Sequence, residues 1–299
     1  MAAASSPQAS EQPDEPLTGA VDLLSHMVRL RAISARMVRL QREGTIGYHA
    51  SSIGDEAVIV GATLAARAGD WIFPGMREWG AAIVRGMPLA NYVHHAFGSA
   101  KDPALGHSPP DHAPARAFKI VPPSGLVGAH LPQGVGAAWA AKTRQEKVAA
   151  IVFFGKEAID TGDFHNAMNF AGVMKAPVVF VCRAPVAERA VAYGLASATV
   201  NGGDARAVHE AVKAALAREG ATLIQAVSPA FEDLATREDL FDLGPSDPVG
   251  GKRDEACEAE LDRAIADAEA AGPPATSTIF DHVYASIPPH LAAQKQALT

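Results

Sequence analysis

The sequence predicts an α/β protein, a mostly parallel sheet with helices on both faces, and three observations carry that prediction. An apolar run, Ile151-Val152-Phe153-Phe154, breaks at Gly155, passes through a helix-forming stretch and returns as a second apolar run, Val178-Val179-Phe180-Val181-Cys182. Strands that are apolar throughout and joined by a helix read as parallel strands covered on both faces. The alternation then continues, with Val148 to Phe154, Asp163 to Met174, Val178 to Cys182, Ala205 to Arg218 and Thr222 to Val227 reading strand, helix, strand, helix, strand. Finally, 48% hydrophobic residues in a chain of 299 are ample for a buried core.

The elements before this unit follow from local patterning. Leu23, Met27, Leu30, Ile33, Met37 and Leu40 recur at three- and four-residue steps, which predicts an amphipathic helix stopped at Gly44. Arg29, Arg31, Arg36, Arg39 and Arg42 occupy its other faces and are expected to be solvated or salt-bridged. A second helix is expected to begin near Gly54-Asp55-Glu56, where the acids meet the positive end of the helix dipole. Asp70-Trp71-Ile72-Phe73 reads as a short strand. Six prolines between residues 100 and 123 predict an irregular segment, in which His107 and His112 are loop histidines. Gly134, Gly136, Ala137, Ala138, Ala140 and Ala141 then give a helix with a small-residue face for close packing.

The remaining elements close the chain. Asp204 is a natural N-cap for the helix that follows it. Residues 228 to 253 read as loop, and Glu255 to Ala271 as a charged, alanine-rich helix closed by Gly272-Pro273-Pro274. A last short element is expected over Ile279 to Ile287, ending at Pro288-Pro289. Residues 1–16 are expected to be a disordered tail, and residues 17–299 a single domain with a C-terminal helical extension.

Composition limits the function classes. The formal net charge of -7 argues against general nucleic-acid binding, which needs a basic surface to neutralise phosphates. No apolar run approaches the roughly 20 residues that cross a bilayer, and the N-terminal residues lack the basic and apolar regions of a signal peptide. Cys182 and Cys257 have no metal-ligand spacing and read as buried or neutral thiols, consistent with a cytoplasmic location.

Ligands of open α/β sheets bind outside the carboxyl ends of the strands. This places Gly155-Lys156-Glu157 and Arg183-Ala184-Pro185, which follow the two apolar runs, at the predicted site. Neither loop offers a recognisable nucleophile elbow, Walker loop or zinc spacing. His165, on the helix between them, reads as a structural histidine rather than a general base.

Ordered matches run along nearly the whole chain after the tail. They are Ser51-Ser52-Ile53-Gly54-Asp55-Glu56-Ala57, Gly69-Asp70-Trp71-Ile72-Phe73-Pro74, Val127-Gly128 through Leu131-Pro132, Gly162-Asp163-Phe164-His165-Asn166-Ala167-Met168-Asn169-Phe170, Lys175-Ala176-Pro177 and Phe280-Asp281-His282-Val283-Tyr284. Through them the chain resembles the alpha subunit of the thiamine-diphosphate-dependent 2-oxo acid dehydrogenases. The resemblance implies the thiamine-diphosphate-binding fold, a beta-type partner subunit, and descent from an enzyme that decarboxylates pyruvate or branched-chain 2-oxo acids. A homo-oligomer is the alternative assembly.

The resemblance also implies where the cofactor would sit, and there the chain departs from the pattern. In that family a Gly-Asp-Gly loop and an Asn-Asn loop hold the Mg²⁺ that clamps the diphosphate. Here Lys156 and Glu157 replace Asp and Gly, while Ala184 and Pro185 replace both asparagines. A protonated lysine cannot ligate Mg²⁺, and alanine offers no side-chain oxygen. The family's Gln-Tyr-Arg contacts fall on Gly75-Met76-Arg77, leaving Arg77 for a phosphate. The loop after Asn-Asn is largely missing, and a histidine-bearing loop is here Pro229-Ala230-Phe231-Glu232-Asp233. The segment from Ser124 through Leu126 to Gly128 matches the part of the family site that lies near the aminopyrimidine ring.

Three readings follow from these departures. The first is a non-catalytic assembly or regulatory subunit without a Mg²⁺ site, in which Lys156 and Glu157 pair with each other or face solvent. The second is a working subunit that binds thiamine diphosphate without Mg²⁺, with Lys156 supplying the charge and Arg77 and Arg183 assisting. The third is a binder of another small anion through Lys156, Arg77 and Arg183. The cofactor-site candidates are therefore Arg77, Ser124, Leu126, Gly155, Lys156, Glu157 and Arg183, with no catalytic or metal-ligating residue assigned.

Overall fold

Alternate residues of the central strands feed two different cores, and this decides the architecture. In the computed structural model, which describes residues 22–298 except 111, 232, 233 and 235, the sheet order is β1-β2-β3-β5-β4 with every pairing parallel. The strands are β1 (Trp71–Phe73), β2 (Ala150–Phe154), β3 (Val178–Cys182), β4 (Ala196–Asn201) and β5 (Thr222–Val227). Every residue of β2 and β3 is buried, as their unbroken apolar runs require. Ile151, Phe153, Val179 and Val181 point to one core, and Val152, Phe154, Phe180 and Cys182 to the other.

The first core is closed by α1 (Leu23–Arg42), α2 (Glu56–Ala65), α3 (Gly80–Val84), α4 (Leu89–Phe97), α7 (Ala205–Leu216) and α8 (Glu255–Ala271). The second is closed by α5 (His130–Thr143) and α6 (Gly162–Met174). The α1 period is as expected, with Met27, Leu30, Ile33, Met37 and Leu40 buried. Arg29 and Arg36 meet Glu260 and Asp262 of α8 at 2.8 and 3.1 Å. Asp204 caps α7 as expected, its Oδ1 accepting from the backbone N–H groups of Arg206 and Ala207. Helix α2 lies so close to the start of α7 that a Cβ on Gly61 would fall 2.4 Å from the Ala205 carbonyl oxygen. Only glycine permits that approach.

Other expectations are refined or corrected. Of the solvated and salt-bridged alternatives, Arg31 takes the salt-bridged one, and does so fully buried: Nε meets Glu56 at 2.5 Å, and the two terminal nitrogens grip Asp247 at 2.8 and 3.0 Å. Glu56 stands in the first turn of α2 as expected, and there it is a buried partner of Arg31. The element expected over Ile279 to Ile287 is a short 3₁₀ turn, Thr276–Phe280, and the prolines expected to end it instead start α9 (Pro289–Leu298). Proline is favoured at the first helical position because its missing N–H has no helical partner there. The expected disordered tail lies outside the described residues, as do Glu232 and Asp233.

The irregular segment after α4 is pinned by one carboxylate. Asp102 Oδ1 lies 2.9 Å from His95 Nδ1 and accepts from the Ala104 N–H at 2.9 Å, while Oδ2 accepts from the Gly106 N–H at 3.0 Å. Burial raises the Asp102 carboxyl, but the His95 and backbone hydrogen bonds outweigh it and hold the group below the ordinary value of 3.8. A depressed carboxyl contributes stability above its unfolded pKa and loses that contribution as pH falls through the folded one. Asp102→Asn is therefore expected to cost about 1.5–3 kcal/mol at pH 7. Urea titrations at falling pH should show this difference shrinking below pH 3.8. A constant difference would mean that ionisation of Asp102 is irrelevant.

Candidate functional site

The carboxyl edges of β1, β2 and β3 deliver three turns to one place. After β1 the chain turns through Gly75 into a 3₁₀ turn, Met76–Trp79; after β2 it passes Gly155 into a second, Lys156–Ala158; after β3 it presents Arg183. Asp55, which precedes α2, enters from above. The Arg183 guanidinium binds two carboxylates here, with Nη1 at 2.9 Å from Asp55 Oδ2 and Nε at 2.7 Å from Glu78 Oε1. Arg77 reaches the same Asp55 oxygen at 3.5 Å. The side chains of Glu78, Asp55 and Arg183 are 0, 5 and 15% exposed, whereas that of Arg77 is 56% exposed.

Burial opposes the charge of Arg183, and Glu78 and Asp55 outweigh it, so the guanidinium pKa is raised. The pairing with Glu78, Nε to Oε1 at 2.7 Å, acts on the guanidinium both through charge and as a hydrogen bond. Beside them His130 Nε2 donates to the Phe153 carbonyl at 2.6 Å, and its buried Nδ1 is without a partner. Burial pushes the His130 imidazole below its ordinary value, against the Phe153 carbonyl and the charge of Glu78. The inner wall of the site thus holds a neutral imidazole and one guanidinium shared by two acids.

Of the residues singled out from sequence, Arg77, Gly155 and Arg183 come together. A Cβ on Gly155 would lie 3.1 Å from Glu157 Oε2 and 3.4 Å from an Arg183 nitrogen. Lys156 and Glu157 are both exposed and form no ion pair with each other, so of the two placements offered for them the solvent-facing one holds. Arg183, expected to assist at a phosphate, meets Asp55 and Glu78. Asp160, the nearby acid that follows this turn, pairs with Arg189 at 3.2 Å.

Ser124 and Leu126 lie on a turn in which Ser124 Oγ accepts from the Leu126 N–H, and the Leu126 side chain is exposed. This turn is held to the β2–α6 loop at Gly128. Its φ of +84° excludes a side chain, and a Cβ there would fall 2.6 Å from Thr161 Oγ1. Thr161 in turn caps α6, its Oγ1 accepting from the Phe164 N–H. His165 is on the α6 surface and contacts the Tyr193 hydroxyl. Next to Arg77 opens a cleft of about 570 Å³ whose lining includes Arg42, Tyr48, His49, Ser51 and Met76.

Sequence reading does not single out Glu78 or His130, and it treats Asp55 only as a first-turn acid. Glu78 stands next to Arg77 in a segment that does not alternate, and His130 opens a helix rich in small residues. The one available signal is an acid directly beside a candidate cation.

Residues 25–184 match the family described as "Dehydrogenase E1 component". The chain is 33% identical to the 2-oxoisovalerate dehydrogenase subunit alpha of Bacillus subtilis, over 89% of this chain and 95% of that protein. It is 32% identical to subunit alpha 2, mitochondrial, of Arabidopsis thaliana over 74% of this chain, and 31% identical to the mitochondrial mouse subunit over 70%. This chain spans about half the length of those two relatives, 51% in each case. Among solved structures, a transketolase from Campylobacter jejuni superposes with a TM-score of 0.61 at 16% identity, covering 85% of this chain and 47% of that one, which agrees with the thiamine-diphosphate-binding α/β fold. The expected fold and family are both upheld, and the chain belongs to the dehydrogenase E1 component family.

Proposed function

We propose that this chain is an alpha-type subunit of a 2-oxo acid dehydrogenase assembly that does not itself hold Mg²⁺ and thiamine diphosphate, and that it serves assembly or regulation. The observation that carries the reading is the commitment of Arg183 to Asp55 and Glu78 at the carboxyl edge of the sheet. The family is thiamine-diphosphate dependent, so the residues present must be tested against that group. Mg²⁺ demands near-octahedral oxygen ligands. Here the two loops offer Lys156, one exposed carboxylate at Glu157, and the methyl group of Ala184. Among the described residues no group of three or more His, Cys, Asp or Glu gathers as metal ligands. Magnesium does not fit this set, and a diphosphate placed here would face Glu157 together with two further carboxylates.

Alpha subunits of E1 dehydrogenases pair with beta subunits. Consistent with a partner, Trp139 of α5 and Phe170 and Val173 of α6 are exposed on adjacent helices. Leu126 and Val127, just before α5, extend the apolar character of this side. A homo-oligomer would use the same exposed groups.

One observation favours a second reading: Lys156 is exposed at the loop and makes no ion pair with Glu157 or Asp160, leaving its ammonium for a diphosphate. Calorimetric titration with thiamine diphosphate, in Mg²⁺ and in chelator, separates the two. The chain purified with any co-purifying partner is expected to give no saturable heat in either condition. Binding that needs Mg²⁺ would overturn the reading, and binding that survives chelator and disappears in Lys156→Ala would establish charge replacement.

A further inference from the structure

We propose that the cleft beside Arg77 is a ligand site of its own, separate from the strand ends, and that it takes a phosphate monoester of a flat ring compound, the chemistry of a mononucleotide. Its volume of about 570 Å³ suits a small organic molecule. Among the described residues Gly155, Lys156 and Arg183 stand outside its lining. The walls come instead from the end of α1, the segment that follows it, the turn after β1, and Leu234.

The charge of the lining selects an anion. Two guanidinium groups, Arg42 and Arg77, face the cleft, and among its described lining residues there is no carboxylate. In a chain of net charge -7 this is a local reversal of sign, and two positive charges match a phosphate dianion. The side chain of Arg77 is 56% exposed, and the Asp55 carboxylate 3.5 Å from it is held more closely by Arg183, at 2.9 Å. The Arg77 fork therefore keeps donors for a second anion. Arg42 directs its terminal nitrogens to the Arg237 and Leu234 carbonyls at 2.9 and 2.7 Å, neutral acceptors that leave its charge in the field of the cleft.

The rest of the lining selects the body of the ligand. Tyr48 is a large aromatic left 44% exposed, and Val38, Ile53, Met76 and Leu234 supply apolar surface. A flat ring gains from stacking on a tyrosine face and from the adaptable thioether of methionine. A branched aliphatic carboxylate would leave one positive charge unmet and the tyrosine face uncovered. The rim is also fixed before a ligand arrives. His49 is buried, 3.1 Å from Ser34 Oγ and 3.0 Å from the Tyr92 hydroxyl, and its backbone N–H donates to Gln41 Oε1 at 3.1 Å. Trp79 Nε1 donates to the Ala50 carbonyl at 3.0 Å. The backbone after Tyr48 is thus pinned to α1, α4 and the turn after β1, so little ordering cost falls on binding.

This site stands whether or not the strand ends hold thiamine diphosphate. It is tested by calorimetric titration of the full-length chain in chelator, with adenosine monophosphate as probe and inorganic phosphate, adenosine and isovalerate as its comparisons. Adenosine monophosphate is expected to bind one saturable site with a Kd of roughly 10–300 μM, and each comparison at least about tenfold more weakly. Arg77→Ala should weaken the nucleotide at least about tenfold, and Tyr48→Leu about five- to thirtyfold. Both side chains are half exposed, so each variant without ligand should melt within about 2 °C of the wild type. Arg77→Lys keeps the charge without the fork and should give an intermediate loss, which decides the matter if Arg77→Ala does not fold.

No saturable heat with the nucleotide, equal affinity for phosphate or isovalerate, or unchanged binding in the Arg77 and Tyr48 variants overturns the proposal. Displacement of the nucleotide by thiamine diphosphate with Mg²⁺ would place it at the strand ends and overturn the separate site. Binding of thiamine diphosphate that needs Mg²⁺ and leaves the nucleotide affinity unchanged would overturn the functional reading alone.

Discussion

Arg31→Ala is expected to cost about 3–5 kcal/mol, measured by urea unfolding, because it strands two buried carboxylates rather than merely deleting an ion pair. Arg31 joins three distant parts of the chain: α1, Glu56 at the start of α2, and Asp247 in the long segment between β5 and α8. Burial pushes the Glu56 carboxyl up, whereas the Arg31 hydrogen bonds outweigh burial at Asp247 and hold that carboxyl down. Asp247 is gripped by two guanidinium nitrogens. It also accepts from the Val249 N–H at 3.0 Å, so the segment leading to α8 is fixed through it.

The variant should therefore show raised hydrogen exchange over residues 240–249 beyond what its lower global stability accounts for. Arg31→Met combined with Glu56→Gln and Asp247→Asn should recover much of the loss, since neutral partners remove the uncompensated charge. A single variant within about 1 kcal/mol of the wild type would show that water reaches these carboxylates and that the triad is not a dry one.

Phe164→Ala is expected to cost about 3–5 kcal/mol. Its fully buried ring packs between Phe154 at the end of β2, with centroids 5.8 Å apart, and Tyr193 at 6.2 Å. It is also the residue whose backbone N–H Thr161 caps, so it ties the first turn of α6 to the loop that carries Gly155, Lys156 and Glu157. The cavity left by alanine sits directly beneath that loop. Limited proteolysis should cut first between residues 155 and 162, and unchanged proteolysis with full stability would mean that α6 is positioned from elsewhere.

The elements legible in the sequence are those whose reason is local. β3 and β5 have the predicted limits because an unbroken apolar run between breakers admits one reading, and α7 starts where Asp204 says it should. Helix α4 carries His94 and His95, both buried, which a local reading counts as polar. Their burial depends on Asp267, Ser99, Asp102 and the Pro109 carbonyl. Strand β4, Ala196–Asn201, has small and polar residues alternating at a sheet edge and lacks the apolar run that marks its neighbours.

The site divides in the same way. Gly155, Lys156 and Arg183 stand at the strand ends, where topology alone requires them. Which charge meets which is not legible, since Arg183 and Asp55 are 128 positions apart and only the assembled sheet brings them to 2.9 Å.

The sheet order has a consequence for how the chain is made. β4 is synthesised before β5, yet β5 is its partner and inserts between it and β3. On a ribosome, β4 emerges with both of its backbone edges unpaired and waits until Thr222–Val227 has been translated. β1 waits longer still, since Trp71 must find Ala150. Non-local parallel pairing of this kind slows folding and leaves strand edges open to other chains meanwhile. A nascent chain arrested just after α7 is thus the species most exposed to aggregation.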